Sequence, residues 1–141
     1  MELERLVEVN EETVSDVNIL LKQLSERLQG CSLESLKEII ENTYAELWAA
    51  RDGERIVGIG MLAVITAPEG LKGKIEDVVV HSDYRGQGLG QQLLAKLIER
   101  AQDRGIAVLE LTSREERVAA NSLYLKAGFI KTETNVYRMK F

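Results

Sequence analysis

A valine-rich run, a glycine-rich turn and an amphipathic pattern follow one another through residues 74–104, KIEDVVVHSDYRGQGLGQQLLAKLIERAQDR, and this succession restricts the fold more than any other stretch. Val78, Val79 and Val80 are consecutive β-branched residues without helical spacing, which suits a central strand covered on both faces within residues 75–80. After Gly90, apolar Leu93, Leu94, Leu97, Ile98 and Ala101 form one stripe of a helix, with Gln91, Gln92, Lys96, Glu99 and Arg100 opposite. Between strand and helix, Arg85-Gly86-Gln87-Gly88-Leu89-Gly90 places three alternating glycines. With no side chains in the way, main-chain N–H groups there turn toward one point, and the positive end of the helix dipole adds to them. Such a turn suits a phosphate group.

Two other nucleotide loops fail on residue type. A P-loop needs Gly-Lys-Ser/Thr to hold terminal phosphates and magnesium, and none follows here. A dinucleotide fingerprint needs a small residue where this chain has Gln91. Gly58-Ile59-Gly60-Met61-Leu62-Ala63 matches that fingerprint in letters, but it sits in an apolar run with no helix pattern after it, so it is a chance match.

The rest of the chain reads as strands and helices in an α/β order. Leu3, Leu6, Val7 and Val9 suggest a first strand, and Asn10-Glu11-Glu12 a helix start. Val14, Val17, Leu20, Leu21, Leu24 and Leu28 carry that helix to Gln29, with Gly30 as its stop. Ser32 caps a second helix bearing Leu33, Leu36, Ile39 and Ile40. Residues 45–51 and 55–65 form an antiparallel hairpin about Asp52-Gly53, and Pro68-Glu69-Gly70 makes the loop that leads into the valine run. Beyond the long helix, Gly105 ends the turn and residues 106–111 form a strand, which implies a right-handed parallel crossover. Residues 117–127 make the last helix, closed by Gly128, and residues 129–141 are expected to hold one more strand, centred on residues 134–138. The fold class is therefore mixed α/β: a sheet antiparallel early and parallel at its middle strands, flanked by helices.

With 141 residues, 45% hydrophobic and 29% charged, and no repeat or linker, one domain spanning residues 1–141 is expected. The net charge of −5, without a basic run interleaved with aromatics, excludes nucleic acid as a primary partner. No apolar run approaches membrane-spanning length, and the first residues lack the basic and apolar blocks of a signal peptide, so no membrane partner and a cytoplasmic location are expected. Cys31 is the single cysteine, which excludes an internal disulfide and speaks against a metal site; it reads as a small residue in a helix-to-helix turn. His81 begins a loop and reads as a solvated histidine.

Arg85, Gly88 and Gly90 after a valine-rich strand match the Arg/Gln-x-x-Gly-x-Gly/Ala signature, and Ala120-Asn121-Ser122-Leu123-Tyr124-Leu125-Lys126-Ala127-Gly128-Phe129 matches Ala-x-x-Leu-Tyr-x-Lys-x-Gly-Phe. In both respects the chain resembles the GCN5-related N-acetyltransferase family, from residue 54 to the end. The resemblance implies acetyl-CoA as co-substrate, a small-molecule amine or peptide as acceptor, and direct attack in a ternary complex. It implies a coenzyme site made of Arg85, Gly86, Gln87, Gly88, Leu89, Gly90 and Gln91 at the pyrophosphate, with Val78, Val79 and Val80 along the pantetheine arm. It assigns Tyr124 as general acid to the leaving thiolate, and Asn121 as a pantetheine contact. Family members often carry an Asn seven residues before that tyrosine, a position held here by Arg117. Glu76 and Asp77 stand where the family sometimes places an amine base, acting directly or through water. Adjacent strand residues face opposite ways, so at most one of them is expected to point into the cleft, and Glu76 is the choice. Many relatives are dimers, so a homodimer is a possible assembly. The alternative within the same fold is a non-catalytic acyl-CoA sensor or interaction module.

Overall fold

The computed structural model describes residues 1–141. In chain order it contains β1 (Glu2–Arg5), α1 (Glu11–Leu24), α2 (Leu33–Glu41), β2 (Ala45–Asp52), β3 (Arg55–Ala67), β4 (Gly70–Val80), a 3₁₀ turn (Ser82–Tyr84), α3 (Leu89–Asp103), β5 (Val108–Glu110) and α4 (Val118–Lys126). The strands form one sheet in the order β1-β2-β3-β4-β5. Neighbours up to β4 are antiparallel and β4 pairs with β5 in parallel, so the sheet is mixed and flanked by helices, as expected.

Local chemistry sets the helix starts. The Asn10 side chain accepts the Thr13 N–H at 2.9 Å while the Asn10 N–H donates to Thr13 Oγ1 at 3.2 Å. Ser32 and Ser35 make the same reciprocal pair ahead of α2. Helix α1 stops at Leu24 rather than at residue 29, because Ser25 turns to extended backbone at φ −159°. The chain then folds back, and the Asn18 amide ties Cys31 by accepting its N–H at 2.7 Å and donating to its carbonyl at 3.1 Å. The apolar spacing thus runs on to Leu28 although the helix does not. Cys31 does lie between α1 and α2.

Two layers of side chains hold the sheet. On one face Val17, Leu20 and Leu36 from α1 and α2 pack on Leu47, Ile56, Ile59 and Val79. On the other face Leu94, Leu97 and Ala101 of α3 and Tyr124 of α4 pack on Leu62, Val64 and Ile75. Leu93, Leu94 and Leu97 are fully buried, and each stabilises the fold by about 1.5–3 kcal/mol. Two glycines of β3 allow α3 to sit this close: a Cβ on Gly58 would lie 3.0 Å from Leu93 Cδ1, and one on Gly60 2.9 Å from Leu97 Cδ1. The Gly58-x-Gly60 letters therefore serve helix-on-sheet packing within a strand, not a nucleotide loop.

Strand β4 carries the feature that shapes the site. Met61 opposes Glu76 and Ile59 opposes Val79, so Asp77 and Val78 together face the single residue Gly60. Asp77 takes the extra position with φ +52°, the one non-glycine residue in the left-handed region. A bulge of this kind bends its strand. The β4–β5 ladder covers Lys72, Gly73 and Lys74 and no further, so the β5-side edge of β4 is unpaired through Val80.

The expected last strand is absent. Residues 129–141 belong to no helix or strand, and β5 is the sheet edge. A strand needs a ladder partner as well as an alternating pattern, and within this chain residues 130–141 make no main-chain hydrogen bond.

Candidate active site

Where β4 parts from β5, a cleft of about 840 Å³ opens between Val78, Val79 and Val80, the turn from Tyr84 to the start of α3, the end of α1 at Gln23 and Leu24, and α4 with its approach from Glu116 to Tyr124. The turn is the polar wall. Gly86 and Gly88 stand at φ +77° and +82°, in the left-handed region that favours glycine. Gly90, by contrast, lies in the regular first turn of α3. Gly88 is the N-cap of α3 and supplies no side-chain cap, and no acidic residue occupies the first turn. The next main-chain donor after Arg85 to find an acceptor is Gln92, which reaches Gly88 at 3.0 Å. The N–H groups of residues 86–91 therefore make no hydrogen bond within the chain. Six consecutive free donors at a helix N-terminus constitute an anion cradle.

Neighbouring contacts hold this turn. Arg85 Nε donates to the Val80 carbonyl at 3.0 Å, and the Tyr84 hydroxyl donates to Asp52 Oδ2 at 2.7 Å, tying the turn to the β2–β3 hairpin. His81 is buried at 8% exposure, against the expectation of a solvated residue. Its Nδ1 accepts the Asp83 N–H at 3.1 Å, its ring stands edge-on to Tyr84, and Arg55 Nη2 lies 3.1 Å from Nε2. The ring caps the 3₁₀ turn and is enclosed by the residues it organises, which its place at a strand end does not reveal.

Tyr124 is 8% exposed and packs edge-on to Phe129 with ring centroids 6.2 Å apart. It lines the cleft, and no group of the chain hydrogen-bonds its hydroxyl. The structure thus brings Tyr124 together with Val78, Val79, Val80, Arg85, Gly86, Gly88, Leu89, Gly90 and Gln91 around one cavity. Gln87, Asn121 and Glu76 are not among its lining residues. The Asn121 amide donates to the carbonyls of Arg114 at 2.9 Å and Glu115 at 3.5 Å, fixing the loop ahead of α4. Arg117 does line the cleft, as do Glu116, Val118, Ala119 and Ala120. Of these, sequence reasoning singles out Arg117 and includes Ala120 in its motif, while Glu116, Val118 and Ala119 carry no signal of their own.

Glu76 shares the α1/α2 face of the sheet with Met61, its cross-strand partner, which packs against the core on that side. Its carboxylate meets Lys74 Nζ at 3.2 Å. Asp77 keeps an exposed surface, yet burial around its carboxyl pushes the pKa up and the charge of Glu76 adds to this. Cys31 lies outside the cleft, and burial pushes its thiol up against a main-chain hydrogen bond that lowers it.

Residues 17–129 match the model of the acetyltransferase (GNAT) family, and the chain belongs to that family. It is 33% identical over 98 residues to N-acetyltransferase 8B of Rattus norvegicus, covering 68% of this chain and 44% of the relative. It is 42% identical over 62 residues to the L-methionine sulfoximine/L-methionine sulfone acetyltransferase of Pseudomonas paraeruginosa, covering 43% of this chain and 36% of that one. The chain thus spans less than half the length of these curated relatives. Among solved structures, an acetyltransferase of Trypanosoma brucei superposes with a TM-score of 0.77 at 30% identity, over 99% of each chain. No helix is long and apolar enough to cross a membrane.

Proposed function

We propose that this chain is an acetyl-CoA-dependent N-acetyltransferase that moves the acetyl group to a primary amine of a small molecule or peptide by direct attack in a ternary complex. The observation that carries this reading is the row of free N–H groups at residues 86–91, all but Gln87 of which line a cleft that Tyr124 lines as well. Those donors fit a pyrophosphate, and the unpaired edge of β4 fits the amide-bearing pantetheine arm as an added strand. Gln87 presents its N–H in the same row, and Asn121 acts on the arm through the loop it holds.

Each protein group then has one task. A main-chain N–H of the Val78, Val79 and Val80 run hydrogen-bonds the thioester oxygen as negative charge develops there. The amine nitrogen forms its bond to the acetyl carbon, the carbon–sulfur bond breaks, and Tyr124 gives its hydroxyl proton to the departing sulfur. Glu76 takes the proton from the amine, directly or through water, and Asp77, whose carboxyl is pushed up, is the second candidate for that role. The placement of Cys31 outside the cleft supports direct attack over an acyl-enzyme route. The relative named for methionine sulfoximine supports a small-molecule acceptor. Residues 1–141 act as one domain, in the cytoplasm.

Thiol release from acetyl-CoA over a panel of amino sugars, aminoglycosides, polyamines, amino acids and short peptides tests the reading. Turnover with one acceptor is expected, and Tyr124→Phe lowers kcat by about 10²–10⁴-fold, or about 3–5 kcal/mol, while coenzyme affinity stays the same. An unchanged kcat removes the general-acid role. Coenzyme binding without turnover on any amine favours the non-catalytic module instead.

A further inference from the structure

The cleft holds one charged side chain that the fold itself does not use. Its charged lining residues are Arg85, Glu116 and Arg117. Arg85 is tied to the Val80 carbonyl through its Nε, and Glu116 is exposed. Arg117 is partly buried, yet its guanidinium makes no hydrogen bond and no ion pair within the chain.

The position of Arg117 makes this unfavourable for the folded chain alone. It is the N-cap of α4 and supplies no side-chain cap. Ser, Thr, Asp or Asn would satisfy a free N–H there, whereas a cation meets the positive end of the helix dipole. Neither loss is offset by another group of the chain, which leaves the charge for an anion from outside.

The helix also directs this residue to the cleft. Arg117, Ala120 and Tyr124 fall at i, i+3 and i+7 on one stripe, and all three line the cavity. Leu123 holds α4 beside the glycine turn, since a Cβ on Gly90 would meet Leu123 Cδ2 at 3.5 Å. The helical rise between Arg117 and Tyr124 is about 10 Å, and the long arginine side chain adds its own reach. The pantetheine arm between sulfur and the first phosphorus is about as long as four extended residues, roughly 14 Å. A thioester beside Tyr124 therefore leaves the diphosphate within reach of Arg117.

We infer that Arg117 is a coenzyme-binding residue whose guanidinium donates to the diphosphate from the α4 wall, while the N–H groups of residues 86–91 donate from the turn. The inference rests on the acetyl-CoA reading above and adds to it a cation on the second wall. A guanidinium suits the task because its planar fork can take two phosphate oxygens at once. The bound anion also relieves the cation at the helix end, so coenzyme binding steadies α4 and with it Tyr124.

Dissociation constants test this for acetyl-CoA, for acetyl-dephospho-CoA, which lacks the 3′-phosphate, and for S-acetylpantetheine, which has no phosphate. Calorimetry serves for the first two and amide shifts in nuclear magnetic resonance for the third. Arg117→Gln is expected to weaken the first two alike, by about tenfold or more, and to leave S-acetylpantetheine unchanged. Arg117→Asn, which restores an N-cap side chain, is expected to show the same losses while raising the melting temperature of the ligand-free protein by a few degrees. Full affinity in either variant overturns the inference. A loss shared by all three compounds puts the contact on the arm, and a loss for acetyl-CoA alone puts it on the 3′-phosphate; each overturns the inference. A ligand-free protein destabilised by Arg117→Asn makes the arginine structural and does the same. Wild-type protein that binds none of the three compounds refutes the acetyl-CoA reading itself, whereas wild-type binding that ignores Arg117 refutes this inference alone.

Discussion

The two ends of α3 treat polar groups in opposite ways. At the C-terminal end, the wholly buried Glu46 of β2 accepts from Arg100 Nε at 2.9 Å and Nη2 at 3.2 Å, from Arg104 Nη1 at 3.1 Å and from Trp48 Nε1 at 3.1 Å. Burial alone pushes the Glu46 carboxyl up, but the hydrogen bonds from Arg100, Trp48 and Arg104, with the charge of Arg5, outweigh it and hold the pKa at about 2. The two arginines also suit the negative end of the helix dipole. At the N-terminal end, the donors of residues 86–91 have no acceptor within the chain, and all of these residues but Gln87 line the cleft. One end fixes the helix on the sheet, and the other keeps its hydrogen-bonding capacity for a ligand. A helix anchored at one end holds its free donors in place without using them.

Breaking the anchored end has the largest effect on stability. Glu46→Ala leaves two arginines without their buried partner and is expected to cost about 3–5 kcal/mol in urea unfolding, while the folded fraction keeps its affinity for acetyl-CoA. A parallel loss of affinity would show that the two ends are not separate in function.

Acid acts on the same end. The folded Glu46 pKa is depressed, so its stabilisation is complete above the ordinary value of 4.5 and is lost as pH falls toward about 2. The loss is about 3 kcal/mol over that window. Glu46→Gln removes this portion of the pH dependence, and an unchanged acid profile in that variant would place the titration elsewhere.

The open end responds more mildly in stability and more sharply in binding. A side chain at Gly88 must adopt φ +82°, at about 1–2 kcal/mol, and it crowds the donors. Gly88→Val is expected to weaken acetyl-CoA binding by about tenfold or more in calorimetry, a difference of about 1.4 kcal/mol. Equal affinity in that variant would mean that the turn does not contact the coenzyme.

These two ends also differ in how far the sequence discloses them. The glycine turn is legible because its requirement is local: a β-branched run, alternating glycines and a helical stripe all lie within residues 74–104. The caps at Asn10 and Ser32 and the Asp52-Gly53 hairpin are legible for the same reason. Glu46 is not, since its arginine partners lie 54 and 58 positions away and nothing near residue 46 signals them. The bulge at Asp77 escapes for a related reason, being a property of the register between two strands rather than of either alone. Tyr124 is legible in its motif, but its place in the cleft depends on how α4 packs against the α3 face. Residues 129–141 show the converse limit, where alternation is present and the partner strand is not.

The most direct test of the central claim follows the backbone amides by nuclear magnetic resonance during an acetyl-CoA titration. Saturable shifts confined mainly to residues 86–91 and to Val78, Val79 and Val80, with Arg100 and Arg104 unmoved, are the predicted result. Amides of residues 86–91 that stay unshifted at saturating coenzyme would contradict the account.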